Sequence, residues 1–177
     1  IVTFGKTHTK GSHVTPDTVF RLASVSKTFT GLLMAKWVMG HELNWDTSIN
    51  DMMQAPEWGG GKFQQMTLAD IVGQSSGFMR NAYDNLIEAD YSVKRVLNDM
   101  AKLDLLCDPG DCYTYQNALF GAISDYFYHQ DTSYHRQMQR LLFSPLSMQT
   151  ASVGKNGLMS SNSWARPHVA ITRSKWR

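Results

Sequence analysis

Two pairs of residues have the types and the spacing for nucleophilic chemistry. The first is Ser24 and Lys27, in "FRLASVSKTFTGLLMAKWVMG", Phe20 to Gly40. A serine hydroxyl is a weak nucleophile unless a base stands beside it. A lysine amine becomes such a base when burial and nearby positive charge lower its pKa. Residues three apart are neighbours on a helix, so S-x-x-K at a helix start sets an amine beside a hydroxyl. The helix N-terminus adds free N–H groups and a positive dipole end, which favour the oxyanion that forms when serine attacks a carbonyl. The second pair is Tyr115 and Asn117, in "CDPGDCYTYQNALFGAISD". A tyrosine hydroxyl relays protons when an ammonium such as that of Lys27 stabilises its phenolate. An asparagine amide donates to a substrate carbonyl and also accepts from a neighbour.

Short patterns recur by chance, and each pair has a plainer reading. Ser24 can be a helix cap with Lys27 snorkelling, and Tyr115 and Asn117 can be a buried hydroxyl and a cap. The chain holds a lookalike of each pair. Ser152-Val153-Gly154-Lys155 has a glycine inside it and no apolar helix after it, which reads as a solvated loop. Tyr83-Asp84-Asn85 lies in a polar stretch without a Pro-Gly turn, which reads as surface.

The elements that must position these residues follow from pattern. "IVTFG" and "DTVFRLAS" read as strands on either side of the turn "KTHTKGSHVTP". Phe20–Gly40 reads as a helix apolar nearly all round, hence buried, with Gly40 as its C-cap. "HELNWDTSINDMMQ" mixes turn residues with scattered apolar ones, and "APEWGGGKFQQ" reads as a loop. "TLADIVGQSS" reads as a short helix with Thr67 as N-cap and Asp70 at the third helical position, ending at Gly77. "DYSVKRVLNDMAKLDLL" has a helical period in Val93, Val96, Leu97, Met100 and Leu103. "CDPGDC" reads as a turn, and "YQNALFGAISDYFYH" and "YHRQMQRLLFSPL" as two further helices. The text after Met148 is small and polar and ends in basic "RPHVAITRSKWR", read as a solvated segment rather than a nucleic-acid tail.

Composition narrows the function classes. A net charge of +2 over 177 residues gives no reason to expect nucleic acid or a strong membrane preference. No run approaches the ~18 apolar residues of a membrane span. Six histidines raise the question of a metal. His41-Glu42 lacks a following histidine at zinc-protease spacing, and His129 and His135 do not share a helical face, so no metal is expected. "GGGKF" lacks the Ser/Thr and the upstream glycine of a phosphate loop. No cofactor is expected. Cys107 and Cys112 flank a Pro-Gly turn that can fold them together into a disulfide; two reduced, half-buried thiols are the alternative.

"FRLASVSKTFTG", "TLADIVGQSSGF", "PGDCYTYQNALFG" and "LLFSPLSMQTASVG", in this order, resemble the penicillin-recognising serine hydrolases. The nearest group is the class C β-lactamases with their relatives, the D-alanyl-D-alanine peptidases and β-lactamase-like (CubicO-type) esterases. The resemblance runs from Val14 to at least Gly154. It implies an α+β fold: an antiparallel sheet flanked by helices, plus an all-helical region. It implies that Ser24 is the acylated nucleophile, that Lys27 and Tyr115 serve acid–base roles, and that Asn117 helps hold Lys27 and the substrate amide. Which of Lys27 and Tyr115 is the base stays open.

One departure stands out. The family carries a third motif, K-[ST]-G or H-[ST]-G, on a strand; this chain has no such triplet, and Lys155-Asn156-Gly157 is the nearest. The expected organisation is therefore one incomplete β-lactamase-like domain over 1–177. Residues 1–40 would supply strands and the nucleophile helix, 41–150 a mainly helical part carrying Y-x-N, and 151–177 a truncated return segment. A second chain or a further segment would complete the sheet. The expected function is hydrolysis of β-lactams or related amides through an acyl-serine. The alternatives are a D-alanyl-D-alanine peptidase, a short-chain esterase, and a non-catalytic binding relative or inactive fragment. The expected partner is a small molecule (β-lactam, D-alanyl peptide or ester), and the expected location is the periplasm or outside a bacterial cell.

Overall fold

The computed structural model describes residues 1–40, 43–54, 61–168, 170–172 and 175–176. They divide into two compact units, Lys27–Leu141 and a second made of Ile1–Ser26 with Leu142–Arg177.

The first unit is helical. It holds most of α1 (Ser26–Gly40), then α2 (Ile49–Met53), α3 (Lys62–Gln65), α4 (Leu68–Gly73), α5 (Asp84–Glu88), α6 (Val93–Met100), α7 (Phe120–His129) and α8 (Tyr134–Met138). α1 was expected to be buried on all sides. It buries Thr30, Leu33, Met34 and Trp37, a single stripe at helical spacing, while Leu32 and Met39 are 47% and 86% exposed. Apolar composition alone does not say how many neighbours a helix has. The buried stripe packs through Trp37, whose ring stands edge-on to Phe127 at 5.0 Å and to Tyr126 at 5.9 Å. The Trp37 indole N–H donates to Gln137 Oε1 at 3.3 Å, so its polar edge is not stranded. Thr30 and Tyr134 share a hydroxyl hydrogen bond of 2.8 Å. Burial raises the Tyr134 phenol above its usual 10.0, and the bond to Thr30 pulls partly against this.

α4 follows its expected cap. Thr67 Oγ1 accepts from the Asp70 N–H at 3.3 Å, and Asp70 Oδ2 accepts from the Thr67 N–H at 3.0 Å. The pair satisfies two N–H groups that a helix start otherwise leaves open. Thr67→Ala is expected to lower stability by about 1 kcal/mol, measurable by urea denaturation at unchanged m-value; no loss would show that the cap is redundant. The end of α4 differs from expectation. The helix stops at Gly73 rather than Gly77, because Gln74 takes the left-handed conformation (φ 61°) and closes it. Gly77 has a different role: at φ +80° it lies against Cys107, where a methyl group would run into the carbonyl oxygen.

Two stretches read as irregular contain helices. Ile49–Met53 is capped by Ser48, which accepts from the Asp51 N–H at 3.1 Å. Lys62–Gln65, within the expected loop, is helical and anchored by the fully buried Phe63. Such short helices cannot hold themselves and depend on tertiary packing, which local composition does not report. Residues 55–60 of that loop lie outside the described residues. α6 bears out its period, burying Val96, Leu97 and Met100.

The second unit corrects the two N-terminal strands. Residues 1–5 and 17–24 form none; the region holds isolated bridges, Lys6 with His13 and Val19 with Trp164. A strand exists only where a neighbour takes its hydrogen bonds, and Ile1, Val2 and Phe4 are exposed. Among the described residues the only sheet of named strands is an antiparallel ribbon, β1 (Ala170–Thr172) with β2 (Lys175–Trp176). α9 (Lys155–Met159) completes this unit.

Candidate active site

Lys27, Tyr115 and Asn117 come together in the helical unit. Lys27, in the first turns of α1, donates from Nζ to Tyr115 Oη at 2.8 Å and to Asn117 Oδ1 at 2.6 Å. The ammonium also lies 4.6 Å from the centre of the Tyr115 ring and 5.4 Å from that of Phe120. All four side chains are half-buried. Lysine is seldom sequestered without partners; here two acceptors and two aromatic rings meet the charge.

The approach of Tyr115 and Asn117 fits the alternating burial along 114–117, a segment outside helix and strand. Where side chains alternate sides, residues two apart share one side. Tyr115 and Asn117 face Lys27, while Thr114 and Gln116 between and before them are buried at 4% and 1% exposure. This buried side is bolted to the end of α4. The Thr114 N–H donates to Gln74 O at 2.7 Å, the Gln116 N–H to Gln74 Oε1, and Gln116 Nε2 to Met79 O. Thr114 Oγ1 accepts from the Gly77 N–H at 3.1 Å, and the Asn81 N–H donates to Tyr115 O at 2.9 Å. Gln74, whose left-handed turn ends α4, is thus a main support of the Y-x-N segment.

The turn before it is closed by a disulfide between Cys107 and Cys112, with Cα atoms 6.3 Å apart. Of the two readings open from sequence, the paired one is observed. The Leu106 N–H donates to Gly77 O at 2.7 Å and the Gly110 N–H to Ser75 O at 2.8 Å, so the bridged turn is stitched to the same stretch, 74–77, that holds Thr114.

One site residue was missed. Asp84 Oδ2 accepts from Asn117 Nδ2 at 2.8 Å. The Tyr83-Asp84-Asn85 stretch read as surface loop instead turns inward at Tyr83, which is left-handed (φ 59°), and begins α5 at Asp84. Asn85 is exposed as expected, whereas Asp84 and Tyr83 are half-buried.

Ser24 belongs to the other unit. It lies in an exposed 3-10 turn, Ala23–Val25, that runs directly into α1, with the Ser26 N–H bonded to the carbonyls of Ala23 and Ser24. Ala23 holds φ at 48°, a left-handed value unusual for alanine. The second S-x-x-K match is exposed at both Ser152 and Lys155. Lys155-Asn156-Gly157 opens α9, so the nearest triplet to the third motif is helical rather than strand-borne.

Lys62 of "GGGKF" donates to the Leu103 carbonyl and pairs with Asp104 at 3.5 Å; Gly59 and Gly60 lie outside the described residues. His129 faces Asp125 at 3.3 Å on α7, and His41-Glu42 also falls outside the described residues. Among the described residues no group of three or more His, Cys, Asp or Glu is placed to hold a metal ion. No described helix is long and apolar enough to cross a membrane.

Comparison with known proteins bears on the fold and the family. The chain superposes on an octameric penicillin-binding protein homologue from Pyrococcus abyssi with a TM-score of 0.80 at 17% identity, over 98% of this chain and 42% of that one. A class C β-lactamase matches with a TM-score of 0.67 at 19% identity, over 87% and 42% of the two chains. EstCE1, a hydrolase with promiscuous acyltransferase activity, matches with a TM-score of 0.74 at 15% identity, over 93% and 46%. Among curated proteins, the unguisins hydrolase ungD' of Aspergillus campestris is 23% identical over 131 residues, 66% of this chain and 24% of that protein. The chain thus spans less than half the length of these structures and about a quarter of that relative. Its fold is β-lactamase/transpeptidase-like. The Beta-lactamase family model matches residues 2–174, and the chain therefore belongs to that family.

Proposed function

We propose that this protein is a serine hydrolase that forms an acyl-enzyme on Ser24 and acts on β-lactams or related amides. The observation that carries the reading is the Lys27 ammonium held at once by Tyr115 Oη and Asn117 Oδ1, residues 88 and 90 positions away in the chain. In this mechanism Ser24 Oγ forms a bond to the substrate carbonyl carbon. Its proton passes to the Tyr115–Lys27 pair. The tetrahedral oxyanion collapses, the C–N bond breaks, and the same pair returns the proton to the departing nitrogen. Water then cleaves the acyl ester by the reverse route. Asn117 steadies Lys27 through Oδ1 and offers Nδ2 to the substrate amide.

Short acyl esters form a second reading, supported by the structural likeness to EstCE1. The Cys107–Cys112 bridge supports a periplasmic or secreted protein, since such bonds persist in oxidising compartments. The substrate class is tested by turnover of a chromogenic cephalosporin, a D-alanyl-D-alanine peptide and a nitrophenyl ester side by side. Cephalosporin hydrolysis is expected. Turnover of the ester alone would move the protein to the esterases, and turnover of none would reject the hydrolase reading.

A further inference from the structure

We propose that Asp84 is a positioning residue: it fixes the orientation of the Asn117 amide and, through it, the place of the Lys27 ammonium. The inference about orientation is independent of substrate; its effect on rate rests on the reading above. An asparagine amide has two faces of similar shape and opposite polarity, an oxygen that accepts and a nitrogen that donates. Asn117 is held on both. Lys27, a donor only, lies 2.6 Å from Oδ1, and the carboxylate of Asp84 lies 2.8 Å from Nδ2. Turning the amide over would set Nδ2 against an ammonium and Oδ1 against a carboxylate. Two charge-assisted hydrogen bonds would become two contacts of like polarity. Without Asp84 only Lys27 would discriminate between the two orientations.

The cost Asp84 carries points the same way. Its second oxygen, Oδ1, is buried and has no hydrogen-bond donor among the described residues. A desolvated carboxylate oxygen left unpaired is unfavourable, and the Asp84 side chain does not cap α5, whose cap position is Tyr83. The carboxylate's opposite charge is Lys27, on the far side of the Asn117 amide. The backbone holds the three parts in register: the Asp84 N–H donates to Asn81 O at 3.2 Å, and the Asn81 N–H donates to Tyr115 O at 2.9 Å. Asp84 is therefore tied to the Y-x-N segment twice, through main chain and side chain.

The test is NMR of the Asn117 side-chain amide in protein labelled with 15N-asparagine, joined to acylation rates. In the wild type one Asn117 Hδ2 proton is expected downfield of the other asparagine amides. It is expected to move upfield in Asp84→Ala and in Asp84→Ser, whose hydroxyl is too short to reach Nδ2. Acylation is expected to fall about tenfold in both, the scale of one lost charge-assisted hydrogen bond. Asp84→Asn keeps an acceptor oxygen without the charge and is expected to lie between; it also serves where the smaller side chains impair folding. An unmoved Asn117 resonance, or full acylation in Asp84→Ser, would overturn the proposal. A resonance that moves as expected in a protein whose Ser24 never acylates would uphold the positioning and reject the hydrolase reading.

Discussion

Ser24→Ala is expected to lower acylation by about 10⁴-fold or more, the scale seen when a serine nucleophile is removed from an otherwise intact site. Nothing else in the proposed mechanism forms the covalent bond, so the loss should be near complete rather than graded. The local backbone supports the assignment. Ser24 sits in the 3-10 turn that feeds α1, a helix of fifteen residues whose positive dipole end favours negative charge developing on a carbonyl under attack. Ala23, the residue before it, is held left-handed at φ 48°, a conformation that costs an alanine about 1 kcal/mol. Strain of this kind is tolerated where a side chain must be presented at a fixed angle. The variant should keep its thermal stability, because Ser24 is exposed. Its acylation rate by a fluorescent penicillin or a fluorophosphonate, against that of the wild type, is the measurement, and labelling of Ser24→Ala at an undiminished rate would remove Ser24 from the mechanism.

Lys27→Ala and Tyr115→Phe are each expected to lower acylation by about 10²-fold or more, the usual contribution of a positioned acid or base. The two substitutions act on one hydrogen bond from its two ends. Tyr115→Phe keeps the ring that lies 4.6 Å from the ammonium and deletes only the acceptor at 2.8 Å, so a large loss would implicate the hydroxyl itself. Lys27→Ala withdraws the donor from both Tyr115 Oη and Asn117 Oδ1. Because the two side chains form a unit, the double variant should lose little more than the worse single one. Additive losses would mean that they act at separate steps, and near-wild-type rates in both single variants would exclude them from the chemistry.

The parts of this site that could be read from sequence were those whose geometry is local. The Y-x-N spacing brings both side chains to Lys27, whereas the helices expected from Phe20 and from Tyr115 begin later, at Ser26 and Phe120, which leaves Ser24 in the turn before α1. The Thr67–Asp70 box and the Cys107–Cys112 turn are likewise closed within a few residues. Asp84 was not legible, because its partner lies 33 residues downstream and its neighbours Asn81, Asn85 and Glu88 are exposed in the way a surface stretch should be. Gln74 and Gln116 were missed for a related reason. Buried glutamines carry no periodic signal, yet Gln74 both ends α4 and anchors the Y-x-N segment through its carbonyl and side chain. The N-terminal strands failed in the opposite sense. Apolar residues at Ile1, Val2 and Phe4 suit a strand, but pairing depends on a neighbour that the segment itself does not specify. The apolar circumference of α1 likewise described its side chains and not their surroundings, leaving Leu32 and Met39 exposed.

The central claim is that chemistry begins with a covalent bond to Ser24. Its most direct test is mass spectrometry of the protein after brief exposure to a slowly released β-lactam, followed by proteolysis and peptide mapping. The expected result is one adduct, of the mass of the intact β-lactam, on the peptide that contains Ser24 and on its hydroxyl by fragmentation. An adduct on Ser26, Ser152 or any other residue, or no adduct from either a β-lactam or a fluorophosphonate, would contradict it.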